Sequence, residues 1–129
     1  MMRPMGSAEP PERNVPQLRI ELSERDGTQI VALFRELDLR AADELQAVLD
    51  RACAGENARV CLDLSGLQFI DSTGLAIVIR SHQATVAAGG AFAVVCAAGT
   101  VRRTLEMTGL MTMLNVAETV DEALQALEG

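Results

Sequence analysis

The sequence predicts an α/β domain in which a mixed, mostly parallel sheet of four to five strands packs with about four helices. Three observations carry this. A hairpin signal near the start is followed by repeated alternation of helix-like and strand-like stretches. The second strand candidate, IVALF at 30–34, is continuously apolar, the mark of a strand covered on both faces. Finally, 49 % of the 129 residues are apolar, enough for one core without disulfides or metal.

Residues 1–16 hold all four prolines, Pro4, Pro10, Pro11 and Pro16, beside Gly6 and Ser7 and without periodicity. They are expected to form a disordered tail ahead of a single domain over residues 17–129. From Leu18, LRIEL alternates apolar and polar, as a half-buried strand does, and Asp26-Gly27 signals a hairpin into IVALF. Ala41, Leu45, Val48, Leu49 and Ala52 then fall at helical spacing, and ARVCLDL at 58–64 returns to strand character. A helix from about Ser72 to Ala88 stops at Gly89-Gly90, and AFAVVC at 91–96 is the next strand.

TVRRTLEMTG is a short helix ending on Gly109, and MTMLNV at 111–116 reads as a last short strand. Thr119-Val120-Asp121-Glu122 has the capping-box arrangement, so a final helix starts there with Ala123, Leu124 and Leu127 inward. On the long helix, Leu75, Val78, Ile79, His82 and Val86 share one face, expected to pack on the sheet. Thr73, Ile77, Arg80 and Ala84 lie opposite, which makes Thr73 and Ile77 candidates for a partner-facing patch.

Composition removes several function classes. The net charge is −7 and no basic cluster stands out, which argues against a nucleic-acid face. All eleven basic residues are Arg, so every mechanism built on a Lys amine is absent. Cys53, Cys61 and Cys96 are odd in number, widely spaced and set among apolar residues, and read as small core residues of a reducing compartment. His82 has no ligand partner at zinc-site spacing and reads as a helix histidine near the core edge. No metal or cofactor is implied. No run of roughly 18 apolar residues could cross a bilayer and no signal-peptide pattern opens the chain, so a cytoplasmic protein is expected.

Ligands and partners of a parallel sheet gather at the carboxyl ends of its strands. Two loops there carry unusual chemistry: RELDLR, with Asp38, and IDSTGL, with Asp71, Ser72, Thr73 and Gly74. If their strands are neighbours, Asp38 and Ser72 share a rim. Ser72 stands at a helix start, where added negative charge is favoured. A plain turn with Ser72 as the N-cap and a functional site are both open on these features. Gly74 inside a first helical turn costs about 1 kcal/mol relative to Ala, so either a close approach or a bend requires it. A serine hydrolase is disfavoured because His82, about three helical turns along the same helix, cannot reach Ser72. The missing Lys likewise disfavours a receiver with Asp71 as phosphoacceptor. No residue is assigned a catalytic role.

The segments RELDL, CLDLSGLQFIDSTGLAIVI, VRRTLEMTGL and ETVDEAL occur in an order and spacing that resemble the STAS domain, the family of bacterial anti-sigma factor antagonists. The resemblance runs from about Leu18 to Leu127. It implies that Ser72 is phosphorylated by an anti-sigma factor serine kinase, and that the unphosphorylated chain binds this kinase and releases the sigma factor. A PP2C-type phosphatase would act on the phosphorylated form. The partner-binding residues would then be Asp38, Asp71, Ser72, Thr73, Gly74 and Ile77, with Asp38 either orienting the hydroxyl and forming partner surface or capping the following helix.

Where the family usually has Gly, this chain has Arg35. Arg lacks glycine's backbone freedom, so a different entry to the loop is expected, with a guanidinium able to pair with a phosphate. The alternative reading is a STAS binding subunit that does not switch, in a stress-signalling scaffold or a lipid-transport complex.

Overall fold

In the computed structural model of the chain, residues 18–128 are described. The expected tail, residues 1–16, lies outside them. Strands β1 (Leu18–Arg25) and β2 (Thr28–Leu37) form the antiparallel hairpin. Its turn residues Asp26 and Gly27 both take positive φ, 52° and 81°, the turn sense that matches the twist of paired strands. Strands β3 (Arg59–Ile70), β4 (Ala91–Val95) and β5 (Val116–Ala117) add in parallel, so spatial order follows chain order from β1 to β5. A 3-10 turn (Leu39–Ala41) leads into α1 (Ala42–Ala52); α2 (Ser72–Ala87), α3 (Thr100–Met107), α4 (Leu110–Met113) and α5 (Val120–Glu128) complete the chain. This is the mixed, mostly parallel sheet that the sequence predicts.

Because side chains alternate along a strand, the sheet feeds two cores. Val31, Leu33, Val60, Leu62, Phe92 and Val94 meet Leu45 and Leu49 of α1, Val78 of α2 and Leu105 of α3 in the larger one. Ile30, Cys61, Ala93 and Val95 point the other way and meet Ala123 and Leu124 of α5. Cys61 and Cys96 are buried and Cys53 half-buried, and burial pushes all three thiols up, Cys61 to about 11. They are held as neutral core side chains.

Two expectations are corrected. MTMLNV is not a strand over 111–116: residues 110–113 form a helical turn, and only Val116 and Ala117 pair with β4. Leu110 and Leu114 are both buried in the larger core, and the Leu114 amide donates to the Leu110 carbonyl at 3.0 Å. A four-residue helical repeat of core leucines thus lies inside what reads as an apolar run.

The inward face of α2 is also rotated from the expected one. Gly74, Ile77, Val78, Ser81 and Thr85 are buried, whereas Val86 is half exposed. The Thr85 hydroxyl donates to the Ser81 carbonyl at 2.8 Å, which satisfies its polar group within the helix and lets it enter the core. Small and polar residues, invisible to an apolar count, let α2 lie close to the sheet. Ile77, expected on the outer side, is 2 % exposed and leaves the partner-facing patch.

Candidate functional site

Both β2 and β3 run further than their apolar cores suggest, and Leu37 pairs with Ile70 at their ends. The loops carrying Asp38 and Asp71 therefore leave the sheet side by side. Register shifts interrupt the β2–β3 pairing between Ala32 and Phe34 and between Arg35 and Glu36. Arg35 sits there at φ +76°, with an exposed side chain. Against the expectation of a different loop entry, the Arg35 backbone adopts the left-handed conformation that a glycine would take at lower cost, at a strain of about 1–2 kcal/mol.

Asp71 organises the rim. Its backbone is extended, φ −103° and ψ −176°, and it is the N-cap of α2: Oδ1 accepts from the Gly74 amide at 2.9 Å. The other oxygen, Oδ2, accepts from the Leu39 amide at 3.2 Å, 32 residues earlier in the chain. The Asp71 amide donates to the Leu37 carbonyl at 3.1 Å, and its carbonyl accepts from Leu75 at 2.9 Å. The cap is therefore Asp71, not Ser72. A carboxylate accepts from a helix amide more strongly than a hydroxyl does, and here it also reaches the neighbouring loop.

Ser72 is consequently the first residue inside α2, and it is exposed. Thr73 beside it is only partly exposed, and Gly74 is buried. A Cβ at position 74 would lie 2.7 Å from Leu37 Cγ and 3.0 Å from Ile70 Cγ1, so the close approach that requires a glycine comes from the protein's own core. Gly74 and Ile77 support the rim from beneath, and Ser72 and Thr73 reach the surface.

Of the two roles open to Asp38, the structure shows the cap. Half-buried at the head of the 3-10 turn, it accepts from the Arg40 amide at 3.0 Å and from Arg40 Nη2 at 2.7 Å. The hydrogen bond from the Arg40 side chain holds its carboxyl below the ordinary value. Glu36 also lies 3.8 Å from Arg40. Beyond the residues predicted from sequence, the rim carries Leu39, 71 % exposed, directly after Asp38. An apolar residue in a polar loop next to a capping aspartate is the signal that could have found it.

The Ser72 hydroxyl has no histidine base. His82 packs edge-on against Phe92, ring centroids 5.7 Å apart, with both ring nitrogens covered, and burial lowers its pKa. Among the described residues no three His, Cys, Asp or Glu side chains converge as a metal-holding group. No helix among them is long and apolar enough to cross a membrane. The arrangement offers an exposed hydroxyl at the positive end of a 16-residue helix, where added negative charge is favoured.

Known proteins resemble this chain over most of its length. The family model of the STAS domain matches residues 19–123. An anti-sigma F factor antagonist of Paenibacillus polymyxa is 32 % identical over 112 residues, covering 86 % of this chain and 96 % of its own. The crystal structure of an anti-sigma factor antagonist from Mycobacterium paratuberculosis superposes with a TM-score of 0.79 at 27 % identity, over 87 % of this chain and 95 % of its own. The anti-sigma factor antagonist SpoIIAA in its unphosphorylated form gives a TM-score of 0.69 at 25 % identity, over 86 % and 97 % of the two chains.

Proposed function

This chain belongs to the STAS domain family, and from that premise we propose that it is an anti-sigma factor antagonist switched by phosphorylation of Ser72. Unphosphorylated, it binds an anti-sigma factor serine kinase and so frees a sigma factor; phosphorylated, it lets go until a PP2C-type phosphatase resets it. It acts as a regulator of transcription through protein contacts and is itself a substrate rather than an enzyme. The observation that carries this reading is the placement of Ser72: exposed, at the first turn of α2, on the rim that the Asp38 and Asp71 loops share.

The physical logic is that of a small charge placed on a close-packed surface. A phosphoryl group brings about −1.5 to −2 charges and three acceptor oxygens. The helix start tolerates it within the domain. A docked partner does not, because the interface must then bury and face an added anion. A penalty of about 3 kcal/mol weakens binding more than a hundredfold.

The test is binding and phosphosite mapping with the purified kinase. Ser72→Ala should bind it and stay unmodified, and its stability should change by less than about 0.5 kcal/mol, because the substituted side chain is exposed and is not the cap. Ser72→Asp should bind more weakly. Phosphate found on Thr73 alone, or equal affinity for wild type and both variants, would remove the switch.

A further inference from the structure

The geometry points to a second role for Asp71: a clasp that carries the state of Ser72 across to the neighbouring loop, so that a phosphoryl group on Ser72 loosens the head of the 3-10 turn at Leu39 and Arg40, while Ala41 stays anchored in the core. This rests on the reading of Ser72 as the phosphoacceptor. The two oxygens of the Asp71 carboxylate hold amides from different parts of the chain. Oδ1 holds Gly74 inside the first turn of α2, at 2.9 Å. Oδ2 holds Leu39, the first residue of the 3-10 turn, at 3.2 Å. Between them, the Asp71 amide is tied to the Leu37 carbonyl at 3.1 Å. The clasp closes over the paired ends of β2 and β3.

A phosphoryl group on Ser72 places a dianion on the residue next to this carboxylate. Both anions then seek the same few amides at the start of α2. Like charges at one helix end also repel, and the carboxylate must shift or share its donors. The bond to Gly74 lies within the helix turn, where both partners are fixed. The bond to Leu39 is the longer of the two and leads to a residue that is 71 % exposed, at the head of the three-residue turn that precedes α1. It is the one that gives. A charge change at Ser72 thereby becomes a displacement of the exposed Leu39 side chain. The partner meets both an added anion and a moved apolar contact. Asp71 is a positioning residue in this scheme, acting through Leu39 and Gly74.

The test needs no kinase. Phosphoserine is installed at position 72 of the full chain by synthesis, and amide hydrogen exchange is followed residue by residue. The Leu39 amide should exchange about tenfold faster in the phosphorylated protein, while Gly74 changes by less than roughly threefold. Asp71→Asn should give the same acceleration at Leu39 without phosphate: its one carbonyl oxygen can keep the Gly74 cap, but its NH2 group cannot accept from Leu39.

Should Asp71→Asn fail to fold, Leu39→Pro removes the same donor. Proline is accepted at the head of a helical turn after an extended residue, and Asp38 has φ −137° and ψ −172°. In that variant, phosphate at Ser72 should no longer alter exchange at Arg40. Unchanged Leu39 exchange on phosphorylation, or an undiminished response in Leu39→Pro, overturns the clasp and leaves the phosphorylation switch standing. A kinase that neither binds the chain nor modifies Ser72 overturns the switch and leaves the exchange result standing.

Discussion

Asp38 and Asp71 look alike in the sequence: each follows a parallel strand, heads a helical segment and sits on the same rim. Their partners separate them. Asp38 is capped onto Arg40, two residues away, by both the backbone and the guanidinium. Asp71 reaches three residues forward to Gly74 and 32 residues back to Leu39. The first interaction closes a local turn that would otherwise be solvated; the second joins two segments that only folding brings together. A carboxylate on a strand end therefore does not reveal its job by type or position, only by the separation of what it holds.

The largest effects should come from removing the long-range partner. Asp71→Ala loses a helix cap, typically about 1 kcal/mol, and the charge-assisted bond to Leu39, worth about 1.5 kcal/mol at the lower end. A total of about 2.5 kcal/mol is expected in urea unfolding. Asp38→Ala should cost about 1 kcal/mol or less, because its bonds are local and Arg40 is exposed. Equal losses would mean that the Leu39 link carries nothing. A double-mutant cycle of Asp71→Asn with Leu39→Pro should be strongly non-additive, as for groups in direct contact.

Next in size is Gly74→Ala. The new methyl would meet Leu37 Cγ at 2.7 Å and Leu37 Cδ2 at 2.9 Å, an overlap that requires the core to shift. Overpacking of this kind costs about 1–3 kcal/mol, partly offset by the roughly 1 kcal/mol gained in helix propensity. A net loss near 1 kcal/mol in urea unfolding is expected, with α2 lifted from the sheet and the Asp71 cap strained. A more stable Gly74→Ala would show that the helix start needs no close approach.

How far the rim could be read from sequence follows the same division between local and distant. The Asp26-Gly27 hairpin was legible because turn chemistry lies in adjacent residues. The start of α5 was legible too: the Glu122 amide donates to Thr119 Oγ1 at 3.1 Å, and the Glu122 carboxylate reaches back to the Glu118 amide. The special character of Asp71 through Gly74 stood out as a polar break between apolar runs. Its inner workings did not, since the Leu39 bond depends on β2 and β3 being neighbours with Leu37 opposite Ile70. The inward face of α2 was missed for a related reason. Gly74, Ser81 and Thr85 enter the core because they are small or internally satisfied, which an apolar count does not register.

Arg35 tests the other end of the Asp38 loop with a smaller and opposite effect. Its left-handed backbone, φ +76°, costs an L-residue about 1–2 kcal/mol. A glycine relieves that strain but loses more chain entropy on folding, by roughly 0.5–1 kcal/mol. Arg35→Gly should therefore be more stable by about 0.5 kcal/mol, seen as a higher urea midpoint at unchanged slope. A destabilised variant would mean that the guanidinium makes a contact worth more than the strain, and would bring the Asp38 side of the rim closer in importance to the Asp71 side.

The smallest expected effect is the acid response of Asp38, and its sign follows from its partner. The Arg40 hydrogen bond holds the folded-state carboxyl below its ordinary value of 3.8. Between the folded and unfolded values the unfolded chain binds more protons, so stability rises with pH across that window. The contribution is fully present above about pH 4 and is lost as pH falls through the folded value. Asp38→Asn keeps an acceptor for the Arg40 amide but cannot titrate, so the stability gap between wild type and variant should close on acidification below pH 4. High salt should narrow the gap as well, since the Arg40 guanidinium is largely in water and the ion pair is screened. A gap constant from pH 7 to pH 3 would show that Asp38 acts only through its backbone cap, and the contrast with Asp71 would then rest on reach alone.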